Sequence, residues 1–219
     1  MVREHIETID DLIARYVAGS LPEPARVLVE SHLEMKTDNR AFVGELEDMA
    51  GDLLLDMDAN GLDPRARERM LAAIYDESIE RQDLSALTPA AGSTAAFPSA
   101  LRNFVGFDAA EVPWRTRMPG FRDYDAGAVD GCLASLFWIR PGRPIPAHTH
   151  GGLELTLVLE GAFSDGIGHY GRGDISVADD TVEHRPVADR DGPCVAFAVT
   201  DAPLKFTGGI GRFLRDLIG

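Results

Sequence analysis

The hydrophobic period of this chain changes once, and that change limits the fold more than any single motif does. In the first part, apolar side chains recur every three or four positions, the spacing of one helix face. "TIDDLIARYVAGSL" sets Ile9, Leu12, Ile13, Tyr16 and Val17 behind a capping residue, Thr8, and ends near Gly19. "LPEPARVLVESHLEM" restarts on prolines where a first turn tolerates them, with Val27, Leu28, Leu33 and Met35 as a buried side. "TDNRAFVGELEDMAGDLLLDMD" opens with capping residues and repeats Phe42, Val43, Leu46, Met49, Leu53 and Leu54 at helical spacing. "LDPRARERMLAAIYDESIERQ" offers Asp63 as cap and Pro64 as first helical residue, then Met70, Leu71, Ile74 and Ile79. Four amphipathic helices over residues 1–83 follow.

Past this point the text becomes "LSALTPAAGSTAAFPSA", small, nearly uncharged and rich in Pro, Ala and Ser. Such a composition makes residues 84–98 a linker. Residues 99–219 then read in short apolar runs, "CLASLFWI", "LELTLVLE", "DISVA" and "CVAFAVT". They are separated by turn clusters such as "RPGRP" and "SDGIGHYGRGD". Many short strands with Gly, Pro and Asp punctuation predict an antiparallel barrel or sandwich. The fold class is therefore α+β, a small helical bundle followed by an antiparallel β-barrel.

The bulk numbers exclude several function classes. The net charge is −15, and residues 1–85 carry 20 Asp and Glu against 9 Lys and Arg. An acidic chain is a poor direct ligand for nucleic acid or anionic membrane, which need clustered Lys and Arg. An acidic helical half suits solvation or docking on a basic protein. No stretch approaches the roughly 20 apolar residues of a membrane helix. Cys132 and Cys194 form neither a CxxC pair nor a disulfide framework. A cytoplasmic protein is expected.

One apolar run is headed by potential ligands. In "PAHTHGGLELTLVLEGAF", His148 and His150 are two apart and share a face of an extended strand. Glu154 keeps that parity if the strand survives Gly151–Gly152. "GRGDISVADDTVEHRP" follows, and a hairpin return would lay His184 beside the other three. Three imidazoles and a carboxylate make a mixed N/O site suited to Zn, Fe, Mn, Ni or Cu. His169 sits in a turn and is read as solvated. Glu183 faces away from His184 by parity. Cys194 fills a strand core, and Trp114, Phe137 and Trp138 are barrel packing, one of them available to line the metal pocket.

The spacing from Gly142 through His148, His150, Glu154 and Gly161, then Gly173 and His184, resembles the two cupin motifs. The second is looser, with Asp179–Asp180 where Pro-x-Gly is usual. The helical part, linker and cupin tail together resemble the ChrR family of anti-sigma factors. "LIARYVAGSLPEPARVLVESHLEM", "HTHGGLELTLVLEGAFSDGIGHYGRGDI", "EHRP" and "DAPLKFTGGIGR" carry that resemblance.

The resemblance implies a helical anti-sigma domain that sequesters an extracytoplasmic-function sigma factor. It also implies a cupin domain that responds to singlet oxygen or organic peroxide. One divalent metal is expected at His148, His150, Glu154 and His184, zinc first and Fe, Mn or Ni as alternatives. A homodimer is open to a cupin. The family's helical domain holds a second zinc through an N-terminal His and a His-x3-Cys-x2-Cys run. Here His5 and His32 keep the histidine positions, but Lys36 and Asn39 stand at the cysteine positions. An ammonium repels the ion and an amide binds it weakly, so this zinc is expected to be lost. Lys36 is free to pair with Glu34, Asp38 or a residue elsewhere. The competing reading is an enzyme, a metal-dependent cupin dioxygenase or lyase with a helical appendage.

Overall fold

The computed structural model describes residues 6–58, 61, 63–75, 97–145, 148–149, 151–181, 183–202 and 205–206. His5, Ile79, His150 and most of the 84–98 segment lie outside the described residues. Helices α1 (Ile9–Val17), α2 (Glu23–Met35), α3 (Arg40–Leu55) and α4 (Pro64–Tyr75) occupy the four predicted segments. A fifth, α5 (Ser99–Val105), leads into the strands.

The caps are written locally. Thr8 Oγ1 accepts from Asp11 N at 3.2 Å while Asp11 Oδ2 accepts from Thr8 N at 3.1 Å, a reciprocal capping box. Asp63 Oδ1 accepts from Arg65 N ahead of α4. Asn39, at the entrance to α3, breaks the expectation: its side chain makes no capping bond.

Among the described residues the strands pair antiparallel: β1 (Arg115–Met118), β2 (Phe121–Val129), β3 (Cys132–Ile139), β4 (His148–Thr149), β5 (Glu154–Glu160), β6 (Ala162–Ser164), β7 (His169–Gly171), β8 (Ile175–Ala178), β9 (Val187–Ala188), β10 (Cys194–Thr200) and β11 (Lys205–Phe206). They form a six-stranded sheet in the order β1-β2-β3-β10-β5-β8, a three-stranded sheet β7-β6-β9 and a pair β11-β4. Among the described residues no continuous ladder closes a barrel, so the antiparallel half is a sandwich of sheets. The cupin motif's glycines answer to the turns. Gly161 has φ +71, and a Cβ there would stand 2.1 Å from the Pro193 carbonyl. Only glycine lets the β5–β6 corner pass that backbone.

The large sheet is covered on both faces. Leu155, Leu157 and Leu159 of β5, with Val195, Phe197 and Val199 of β10, join Leu12, Leu28, Val29 and Leu101 of the helices in one buried cluster. The alternate residues Val158 and Cys194 pack with Phe163 and Ala188 of the small sheet. Period-two alternation thus gives each strand one helix-facing and one sandwich-facing row.

α2 is the helix that seals the sheet. The β2–β3 hairpin turns on Asp130 and Gly131, both at positive φ, and Asp130 Oδ2 accepts from Glu23 N at the start of α2. At the far end, Glu34 accepts from Ser99 N at 2.7 Å and Ala100 N at 3.0 Å, capping α5. α3 differs. Phe42, Val43 and Leu46 are half-buried, but Met49, Leu53, Leu54 and Leu55 are exposed, as are Met70, Ile74 and Tyr75 of α4. The periodicity identified these faces correctly and left open what covers them.

Leu28 of α2 is fully buried in the cluster shared with the sheet. Leu28→Ala is expected to cost about 2–5 kcal/mol in denaturant unfolding. Helical and near-ultraviolet signals should shift to lower denaturant together.

Candidate metal centre and the elbow of the helical half

His148 stands on β4, and its backbone pairs in both directions with His184, N to O at 3.2 Å each way. That bridge is the return predicted to bring His184 alongside. Glu154, the first residue of β5, comes in from the facing sheet. Ligand atoms of His148, Glu154 and His184 all lie within 4.8 Å of one another, and all three residues are buried. The Nε2 atoms of His148 and His184 are 3.0 Å apart. Two imidazole nitrogens converging beside a carboxylate form a donor set that first-row divalent ions take. The fourth expected ligand, His150, lies outside the described residues.

Neighbours hold these side chains in place. Asp165, whose carboxylate is shut off from solvent, accepts from His184 Nδ1 at 3.3 Å, leaving Nε2 to point inward. Thr156 Oγ1 donates to Glu154 Oε1 at 2.8 Å. Ligand histidines commonly rest on a carboxylate this way, and it fixes tautomer and ring orientation. Nothing local in the sequence marks Asp165 for this role, since the carboxylate stands 19 residues before its partner. Burial pushes the Glu154 carboxyl up to about 7, with Asp165 adding to the shift and the Thr156 hydroxyl opposing it.

A cavity of about 200 Å³ opens beside the triad. Met118, Phe121, Phe137 and Ile145 line it, with Arg117 also on its wall. Of Trp114, Phe137 and Trp138, Phe137 is therefore the one that lines the pocket. Arg117 Nε donates to both oxygens of Asp123 at 2.9 and 2.8 Å.

Other candidates fall away from the centre. His169 is exposed and pairs with Asp189 at 2.9 Å. Cys194 is fully buried and its thiol is pushed up to about 12 by burial, so it is packing rather than chemistry. Cys132 is shifted upward for the same reason.

The second zinc position of the resemblance is built differently. His32 is buried at the end of α2, where its Nδ1–H donates to the Gly173 carbonyl at 2.6 Å. Its Nε2 accepts from Asn39 Nδ2 at 3.0 Å. Lys36 forms an ion pair with Asp174. Glu34, one of the partners anticipated for Lys36, caps α5 instead.

Comparison with known proteins fits both halves. Residues 103–202 match the family described as ChrR Cupin-like domain. The chain is 35% identical over 214 residues to Anti-sigma-E factor ChrR of Cereibacter sphaeroides, covering 98% of this chain and 97% of that one. It superposes with TM-score 0.73 on a chain from the crystal structure of Rhodobacter sphaeroides SigE in complex with the anti-sigma ChrR. That match has 34% identity and covers 91% of this chain and 99% of that chain.

In the metal-free protein, Glu154 keeps its proton between pH 4.5 and about 7, where the unfolded chain has lost it. Stability is then full below the unfolded value and declines as pH rises to about 7. Thermal melts across this window should show the decline, and Glu154→Gln should flatten it. Asp165→Asn is expected to weaken metal binding roughly 10–100-fold by competition titration.

Proposed function

This chain belongs to the ChrR family of anti-sigma factors, and from that premise we propose that it sequesters an extracytoplasmic-function sigma factor and releases it when an oxidant acts on the cupin centre. The observation that carries this reading is the uncovered apolar surface of α3 and α4. Leu53, Leu54 and Leu55 lie 68–84% exposed, and Ile74 and Tyr75 are similarly bare. Large exposed apolar patches on a folded chain mark interaction sites. The similar structure, a complex of SigE with the anti-sigma ChrR, supplies the class of partner. The acidic charge of residues 1–85 favours encounter with a basic protein surface and disfavours direct contact with promoter DNA.

In the cupin half, His148, Glu154 and His184 are the residues that would hold a divalent ion, with His150 completing the set. Zinc is the ion proposed, since N and O donors suit it. An ion held there would supply a Lewis-acidic centre between these side chains. Asp165 holds His184 in its inward tautomer, and Thr156 steadies Glu154. The cavity gives a small apolar oxidant such as an organic peroxide a path to those side chains. No described helix is long and apolar enough to cross a membrane, and a cytoplasmic site of action is proposed.

Two measurements test this. Leu53→Lys and Ile74→Lys, both at exposed positions, should weaken binding of the sigma factor at least roughly tenfold by calorimetry, as loss of an interface anchor does. Undiminished binding in both variants removes the assignment of this face. Elemental analysis should give about one ion per chain in the native protein, and a fall in His148→Ala.

A further inference from the structure

The family's second zinc does not fit the residues present. Both His32 ring nitrogens are engaged, one donating to the Gly173 carbonyl and the other accepting from Asn39. The Lys36 ammonium lies against Asp174, where it would repel a cation. The charged groups facing His32 are Lys36 and Asp38 from the elbow and Asp174 from the sheet side. Burial dominates among them and lowers the histidine's pKa, so the ring is neutral, as its donor–acceptor pair requires.

What stands there instead reaches further than a zinc site confined to the helices. Residues 36–39 are the elbow between α2, which is packed on the sheet, and α3, which carries the exposed apolar stripe. Gly173 and Asp174 form the turn entering β8. That turn is hydrogen-bonded to the ligand strand β5: Gly173 N donates to Val158 O at 2.8 Å, and Val158 N to Asp174 O at 3.0 Å. Gly173 is at φ +86, and a Cβ on it would come within 2.9 Å of the Lys36 side chain. The aliphatic stem of Lys36 therefore lies directly on the turn. Two residues further on, Ser176 lines the cavity beside the metal ligands.

We propose that His32, Asn39 and Lys36 replace the helical-domain metal with a direct joint to the β7–β8 turn, through which the state of the cupin centre reaches the first turn of α3. Two links run across it. His32 carries Gly173 to Asn39, whose side chain gives up its capping role at α3 to make the bond. Lys36 carries Asp174 to the elbow backbone. A shift of β8 or β5 at the cavity wall moves both anchor points at once. The elbow then turns α3, and the stripe on α3 leaves its partner. The regulatory sense of this joint rests on the proposed sigma-factor role, but its existence does not.

The test uses the full chain without any partner. Nitrogen spectra of the histidine rings are recorded for the native, chelator-stripped and zinc-reloaded protein, with amide hydrogen exchange in parallel. His32 should remain a neutral ring protonated on Nδ1 in all three states, while His148 and His184 respond. In Asn39→Ala and Lys36→Met, exchange at the α3 amide of Val43 should rise roughly three- to tenfold, the effect of losing one half-buried hydrogen bond. Cupin metal content should be unchanged, which certifies the fold. Stripping the metal should alter Val43 exchange in the native chain and not in the double variant Asn39→Ala with Lys36→Met, which cuts both links. Zinc ligation at His32, seen as a metal-bound ring nitrogen or loss of its Nδ1 proton, would overturn the joint, as would unaltered exchange in both variants. A joint that forms but ignores stripping would overturn the coupling. An absence of cupin metal altogether would instead strike the metal assignment, leaving the variant data to decide the joint.

Discussion

The burial of one antiparallel sheet on both faces is the constraint on which the rest depends. Successive side chains of β5 point alternately at the helices and at the sandwich interior, so Glu154 and Thr156 face the ligand cluster while Leu155 and Leu157 press on the helical layer. Neighbouring residues on a strand are only about 3.3 Å apart along its axis. The chemistry of the cupin centre and the packing of α2 are thus separated by one peptide unit. Neither face can relax into solvent, because close-packed interiors transmit displacement rather than absorb it.

α2 turns that constraint into a rigid platform. Asp130 anchors its start, Glu34 ties its end to α5, and its middle lies in the shared core. Among the described residues α3 has no comparable hold: it is half-buried near its start and exposed beyond. The molecule is accordingly firm where the sheet is covered and free where the stripe is offered, with the elbow at residues 36–39 between the two regimes.

Much of this was legible in the sequence because the signals were local. Thr8 and Asp63 mark helix starts by chemistry that acts within a turn, and the change from helical to strand period places the two halves. The pairing of His184 with His148 could be anticipated because the strand between has a fixed repeat. Long-range partners could not. Lys36 meets Asp174 from 138 residues away, and His32 meets Gly173 across 141. Asn39 reads as a cap and serves as a donor to an imidazole, since tertiary bonding outweighs a capping bond that water can replace. Periodicity also marked the apolar stripe of α3 without saying that it stands exposed; a hydrophobic face alone does not say what covers it.

That bare stripe has a consequence beyond recognition. Net charge keeps the free chain dispersed, yet the leucines of α3 and their neighbours on α4 remain adhesive to any apolar surface they meet. A molecule carrying them is best preserved while occupied. Uncovering them leaves apolar surface open to aggregation, so removal of whatever covers the stripe carries a cost of its own.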